Sequence, residues 1–216
     1  MSLASYSGLK TAVAQLLNRS DLTDYIPDWI TMAEATFNRN ITSRYLITTE
    51  TITVTGSTYP LPDGFSAVVS FWLDQDTGRA LEYVTPDVFD NITDTADTPY
   101  YYTISGEDFY FAPPPGGTFT LRLRYRKNLV PLSDDAPSNW LLAQHPDIYL
   151  YGAAIHSAPF LNDDQRIVMW QGKHDALIDE INRYGRRELQ GSRLQTSSGL
   201  RDRGFIASGT TGAGWH

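Results

Sequence analysis

The side chains with the most chemical capacity in this sequence are scattered. His145, His156 and His174 share no spacing that gathers them on one metal ion, and the absence of cysteine removes thiolate ligands and disulfides. No phosphate loop, dinucleotide fingerprint, His-Glu-x-x-His helix or Gly-x-Ser-x-Gly elbow occurs. Asp74, Asp76 and Glu82 loosely match a calcium loop, but the glycine is misplaced and Gly78 suits a hairpin turn instead. Glu50, Glu82 and Glu107 offer the two carboxylates of a glycoside hydrolase, although acidic residues are common enough here to supply such pairs by chance. Tyr100-Tyr101-Tyr102 and Phe109-Tyr110-Phe111 offer a sugar-stacking platform or, more simply, cross-strand packing. His174 lies on an apolar stripe and reads as a hydrogen-bonded core histidine. These residues argue against an enzyme, and no cofactor is expected.

Charge is more informative than any catalytic pattern. The formal net charge is −8, which argues against general nucleic-acid binding. The stretch from Arg183 to Arg203 runs the other way, with Arg183, Arg186, Arg187, Arg193, Arg201 and Arg203 against only Glu188 and Asp202. A basic segment on an acidic body suits an acidic partner surface, or it complements the dipole at its own helix end. Half of the residues from 191 to 216 are Gly, Ser or Thr, and Phe205, Ile206 and Trp215 are spaced among them. Such a stretch cannot offset its ordering entropy alone. It is expected to be an arm that orders on a partner, or else a free terminus.

The elements that would position these residues follow from periodicity. Hydrophobic content of 41% and 216 residues suit one good core or two small ones. No basic-then-apolar leader and no membrane-length apolar run occurs, so a soluble protein made in the cytoplasm is expected, with incidental sequons at Asn18, Asn40 and Asn91. Leu9, Val13, Leu16 and Leu17 form one helical face. Ile26, Ile30, Ala33, Phe37 and Ile41 form a second, and the short linker between them predicts a helix hairpin over residues 1–44. The period then becomes two. Strands are predicted around 51–55, 68–73 (buried), 79–84, 100–104, 109–111 and 119–125, the last with one buried and one basic, solvated face. A helical turn is predicted at Thr85-Pro86-Asp87. Residues 45–133 therefore read as an inserted antiparallel β module. Helices return over 134–190: a short turn capped by Ser138 or Asn139, a helix from Pro146, and a long one capped by Asn162 with Asp163 and Asp164 in its first turn. The long helix carries the stripe Ile167, Trp170, His174, Leu177, Ile178 and Ile181, and Arg183, Arg186 and Arg187 are expected to end it. The fold class is α+β: a helical bundle of both chain ends, an inserted antiparallel β module, and an extended arm over 191–216.

This order of parts resembles the head–tail adaptor (connector) proteins of tailed bacteriophages. The matching segments are Leu17-Asn18-Arg19-Ser20-Asp21-Leu22, Ile26-Pro27-Asp28-Trp29-Ile30, Leu61-Pro62-Asp63-Gly64-Phe65, Tyr102-Thr103-Ile104-Ser105-Gly106, Ser138-Asn139-Trp140-Leu141-Leu142, His145-Pro146-Asp147-Ile148-Tyr149 and Trp170, within residues 5–185. The resemblance implies a non-enzymatic virion protein of the neck, assembled in the host cytoplasm. It implies a ring of neighbouring copies, commonly a dodecamer, that binds the portal protein, extends the channel through which genomic DNA passes, and receives a tail or nozzle protein. It also implies a C-terminal arm that reaches the portal; the residue types of the tail make Arg193, Arg201, Arg203, Phe205, Ile206 and Trp215 its expected anchors. Another neck or tail-completion protein, a glycan-binding module and a virion cell-wall hydrolase are the alternatives.

Overall fold

The structure, a computed structural model, describes residues 3–74, 79–93, 96–161 and 165–199, the side chains of 188–199 excepted. Helix α1 (Tyr6–Leu17) starts where the Ser5 side chain accepts the Gly8 N–H at 3.2 Å, and it ends where Asn18 turns left-handed at φ 52°. A 3-10 turn at Thr23–Tyr25 leads into α2 (Ile26–Asn40), with Pro27 in its first turn. The sequence-derived stripe Ile26, Ile30, Ala33, Phe37 and Ile41 is buried throughout.

Seven strands follow: β1 (Ile47–Val54), β2 (Thr58–Pro60), β3 (Phe65–Leu73), β4 (Glu82–Tyr83), β5 (Tyr101–Ser105), β6 (Asp108–Ala112) and β7 (Phe119–Lys127), with α3 (Pro86–Phe89) between β4 and β5. They make two sheets, ordered β1-β7-β3 and β2-β6-β5-β4. Inward residues of both sheets share one core, from Ile52, Phe71, Leu121, Leu123 and Tyr125 on one side to Tyr102, Phe109 and Phe111 on the other. Phe71 meets Tyr102, Phe109 and Phe111 edge-on at 5.2–5.6 Å between ring centres.

Two strand expectations need correction. The 68–73 segment is not buried on both faces: Val69 and Trp72 are 50% and 38% exposed, because the β1-β7-β3 sheet is covered on one face only. The expected 79–84 strand is reduced to a bridge and β4. Ala80 pairs with Trp72 in the first sheet, and Glu82–Tyr83 then pair parallel to β5 in the second. The segment crosses between sheets, so it completes a ladder in neither.

After β7 the chain returns to the helices. Helix α4 (Trp140–Gln144) is capped by Asn139, whose Oδ1 accepts the Leu142 N–H at 2.9 Å. Helix α5 (Pro146–His156) packs against α1, α2, α4 and α6 (Arg166–Gly199). Its small residues permit this central position. A Cβ added at Gly152 would stand 3.0 Å from the Phe37 ring and 3.1 Å from the Ala33 methyl. The α6 stripe buries Trp170, His174, Ile178 and Ile181, with Ile167 and Leu177 half-covered. The expected cap of Asn162, Asp163 and Asp164 lies outside the described residues. Helix α6 itself extends to Gly199, past the limit near 190 read from the sequence.

Candidate functional site

The helical body and the sandwich are joined by a polar seam. Two residues on successive turns of α2, Glu34 and Asn38, and Arg126 of β7 carry it. Glu34, only 5% exposed, accepts the Leu132 N–H at 2.8 Å and the Tyr149 hydroxyl at 3.1 Å. Asn38 accepts the Leu129 N–H at 2.7 Å. Beyond them, Arg126 donates to the Asn38 and Ile41 carbonyls at 2.6 and 2.8 Å. Those carbonyls end α2 and have no partner within it, so a guanidinium there satisfies the helix terminus. Arg126 continues the outward alternation of Arg122 and Arg124 on β7, yet those two are exposed whereas Arg126 is half-buried. Asn139 completes the seam by donating to the Tyr149 hydroxyl at 2.7 Å and the Val130 carbonyl at 2.8 Å. Burial raises the Glu34 carboxyl above its ordinary value, against the lowering effect of its two donors.

The basic part of α6 is held in a fixed direction by a second clamp. Asn182 accepts the Thr42 N–H at 2.6 Å and donates to the Asn40 carbonyl at 2.8 Å. Gly185 lies directly on the Thr42 carbonyl oxygen, where a Cβ has no room. With Ile181 and Gly185 inward, the opposite face of the helix turns to solvent. Glu180, Arg183, Tyr184 and Arg187, spaced i, i+3, i+4 and i+7, line a shallow groove of about 200 Å³ there, and Arg186 is exposed beside them. The structure thus brings Arg183 and Arg187 together. It also removes one explanation for them. Because α6 runs on to Gly199, with no basic residue in its last turn, these arginines do not complement a helix end, an effect confined to the last turn. Arg193 lies on this helix, but its side chain is not described. Arg201, Arg203, Phe205, Ile206 and Trp215 lie outside the described residues, as does the expected arm beyond Gly199.

A neighbouring groove was not legible in the sequence. Ser43, Tyr45, Trp140, Gln144, His145, Ile181, Tyr184 and Gly185 line about 230 Å³, and Tyr45 stacks on Trp140 at 5.1 Å. Its residues come from three separate elements, so no periodicity marks them.

The residues considered for chemistry stand apart. Glu50 on β1 accepts the Tyr125 hydroxyl at 2.7 Å, Glu82 lies on β4, and Glu107 lies in the β5–β6 turn. Burial, helped by the hydrogen bond to Glu50, pushes the Tyr125 phenol far above its ordinary value. Of the aromatic cluster, Tyr102, Phe109 and Phe111 are sandwich core, whereas Tyr100, Tyr101 and Tyr110 are half-buried. His174 is 6% exposed, stacks on Phe37 at 5.8 Å and approaches Asp175 at 3.3 Å, as a core histidine should. His156 is held below its ordinary value by burial, then by His174 and Arg39. Asp74 pairs with Arg122 at 3.5 Å, and Asp76 is outside the described residues. Among the described residues no group of His, Asp or Glu is arranged to hold a metal ion, and no helix is long and apolar enough to cross a membrane.

The described residues thus form a helical body joined to a sandwich by a polar seam, with grooves on its outer surfaces. The chain matches the SU10 adaptor protein family over residues 4–198 and belongs to it. That family is one of phage head–tail adaptors, so the chain is a structural protein of the virion neck. No curated protein matches it.

Proposed function

We propose that this chain forms a ring of like subunits that docks on the portal protein, continues the DNA channel and presents a surface to the tail. Family membership across residues 4–198 carries the reading. The architecture supports it in two ways. The seam through Glu34, Asn38 and Arg126 fixes the sandwich on the helical body, so a subunit can present surfaces to several neighbours at set angles. The clamp on α6 leaves Arg183, Arg186 and Arg187 on the exposed face of that helix. Residues 200–216 follow it as the portal-docking arm, with Arg201, Arg203, Phe205, Ile206 and Trp215 as anchors. Genomic DNA passes without sequence-specific contact, and a net charge of −8 keeps phosphate affinity, which would retain the genome, low. The chain has no catalytic activity in this reading, and assembly takes place in the host cytoplasm.

Electron microscopy of the purified protein mixed with its portal tests the proposal. A ring coaxial with the portal is expected. Free protein beside bare portals would overturn it, and turnover of peptidoglycan abolished by changing Glu50, Glu82 or Glu107 would favour a virion hydrolase.

A further inference from the structure

Two surfaces of the sandwich are unlike and complementary. The first is the outer face of the β1-β7-β3 sheet. Leu121, Leu123 and Tyr125 point inward, so Arg122 and Arg124 point out. Register places Trp72 beside Arg122 and Ser70 beside Arg124, and the four line a hollow of about 260 Å³. Trp72 is 38% exposed. Arg124 has no ion-pair partner among the described residues, and Arg122 has only the exposed, weak pair with Asp74. The second surface is a groove of about 510 Å³ between the 60–65 connection and the β5–β6 turn of the other sheet. Pro60, Leu61, Pro62 and Phe65 give it an apolar floor, and Asp63, Glu107 and Asp108 give it an acidic rim.

We infer that these surfaces meet between neighbouring copies, Trp72 of one seated in the proline-lined groove of the next and Arg122 and Arg124 against its acidic rim. The charges match in sign. An exposed tryptophan flanked by arginines is the composition of an interface anchor. The two surfaces are unlike each other, so one such contact leaves the other surface of each copy open to the next. A head-to-tail contact joins unlike surfaces, and repeated with rotation it closes into a ring. Two arginines are few for a phosphate-binding face, whose affinity grows with the number of cations, and a phosphate backbone offers no slot for the indole. The inference rests on the ring reading above and names the contact that would make it.

The cysteine-free chain permits a direct test by cross-linking. Ser70→Cys and Glu107→Cys are made separately in the full chain and treated with a short bismaleimide, with and without portal. Mixing the two is expected to give a covalent dimer, the double variant a ladder, and either single variant alone no dimer. In parallel, Arg122→Glu/Arg124→Glu and Asp63→Lys/Glu107→Lys should each abolish self-association in sedimentation. Their mixture should regain association, because the two intact surfaces pair and the two reversed surfaces are again opposite in sign. A dimer from Ser70→Cys alone, or a mixture of charge variants that stays monomeric, overturns the contact. If rings on the portal persist in Arg122→Glu/Arg124→Glu, the ring reading stands and this contact falls. If the unmodified chain makes no ring but the mixture still pairs, the contact stands and the ring reading falls. Retention of a DNA duplex that Arg122→Glu/Arg124→Glu removes, with no dimer in the mixture, assigns the face to phosphate instead.

Discussion

Glu34 shows how one side chain can join two halves of a molecule. Its carboxylate satisfies a backbone N–H of the returning segment and a tyrosine hydroxyl on α5, both away from water. Glu34→Ala strands both donors and should cost about 1–3 kcal/mol. Glu34→Gln keeps an acceptor oxygen and should cost much less. The same residue gives a pH signature. Its folded-state pKa is raised above 4.5 by burial, so the folded chain holds a proton that the unfolded chain releases. The stability from this group is therefore fully present below 4.5 and is lost as pH rises through the folded value. Melting temperatures of the parent and Glu34→Gln across pH check this: the parent should gain on the variant as pH falls towards 4.5. Parallel profiles would remove Glu34 as the cause.

At the scale of the element, α6 carries two glycines that make opposite demands. Gly185 touches the Thr42 carbonyl oxygen and leaves no space for a Cβ, whereas nothing lies within 4 Å of a Cβ at Gly172. Gly185→Ala must push the helix off the end of α2, break the Asn182 clamp and cost about 1–3 kcal/mol. Gly172→Ala should stabilise the same helix by up to about 1 kcal/mol, through helix propensity alone. Chemical denaturation of the two variants reads both signs. A stabilising Gly185→Ala would mean that α6 does not rest on Thr42. If α6 delivers the arm, Gly185→Ala should also weaken attachment to portal, which Gly172→Ala should leave intact.

At the scale of the whole molecule, helices from both chain ends share one core, while the sandwich has its own. Ile30 is 1% exposed in the first, so Ile30→Ala should cost about 2–5 kcal/mol and lower the melting of α6 together with α1 and α2. Leu177→Ala, at a half-covered position, should cost less. Two separate helical transitions would contradict a shared core. Removal of residues 200–216 should leave the melting temperature nearly unchanged, because a stretch this rich in Gly, Ser and Thr has little apolar surface to bury. The same truncation should abolish retention on immobilised portal. Undiminished retention would move the docking surface to the body, where Arg183 and Arg187 are the next residues to reverse in charge.

Local pattern determined much of this protein before any contact was considered. The apolar stripes of α1, α2 and α6, the Asn139 cap, the Pro86 turn, the hairpin of β5 and β6 and the two faces of β7 are set by residues close in sequence. Their periods and caps record which side must leave water and where a helix can begin. The order of these parts was enough to suggest an adaptor. The tertiary structure decided what depends on distant partners. Arg126 has the same place in the β7 alternation as Arg122 and Arg124, yet it serves the end of α2, because only the fold brings Asn38 and Ile41 within its reach. Trp72 looked buried because apolar strands usually are, but the sheet packs on one face only and Trp72 stands on the other, beside Arg122. The arginines from 183 to 187 looked like a helix end because their charge suits one. The backbone runs on to Gly199, and that turns them from a terminus into an outward surface. Side-chain type sets what a residue can do, and only the assembled neighbours select which of those things it does.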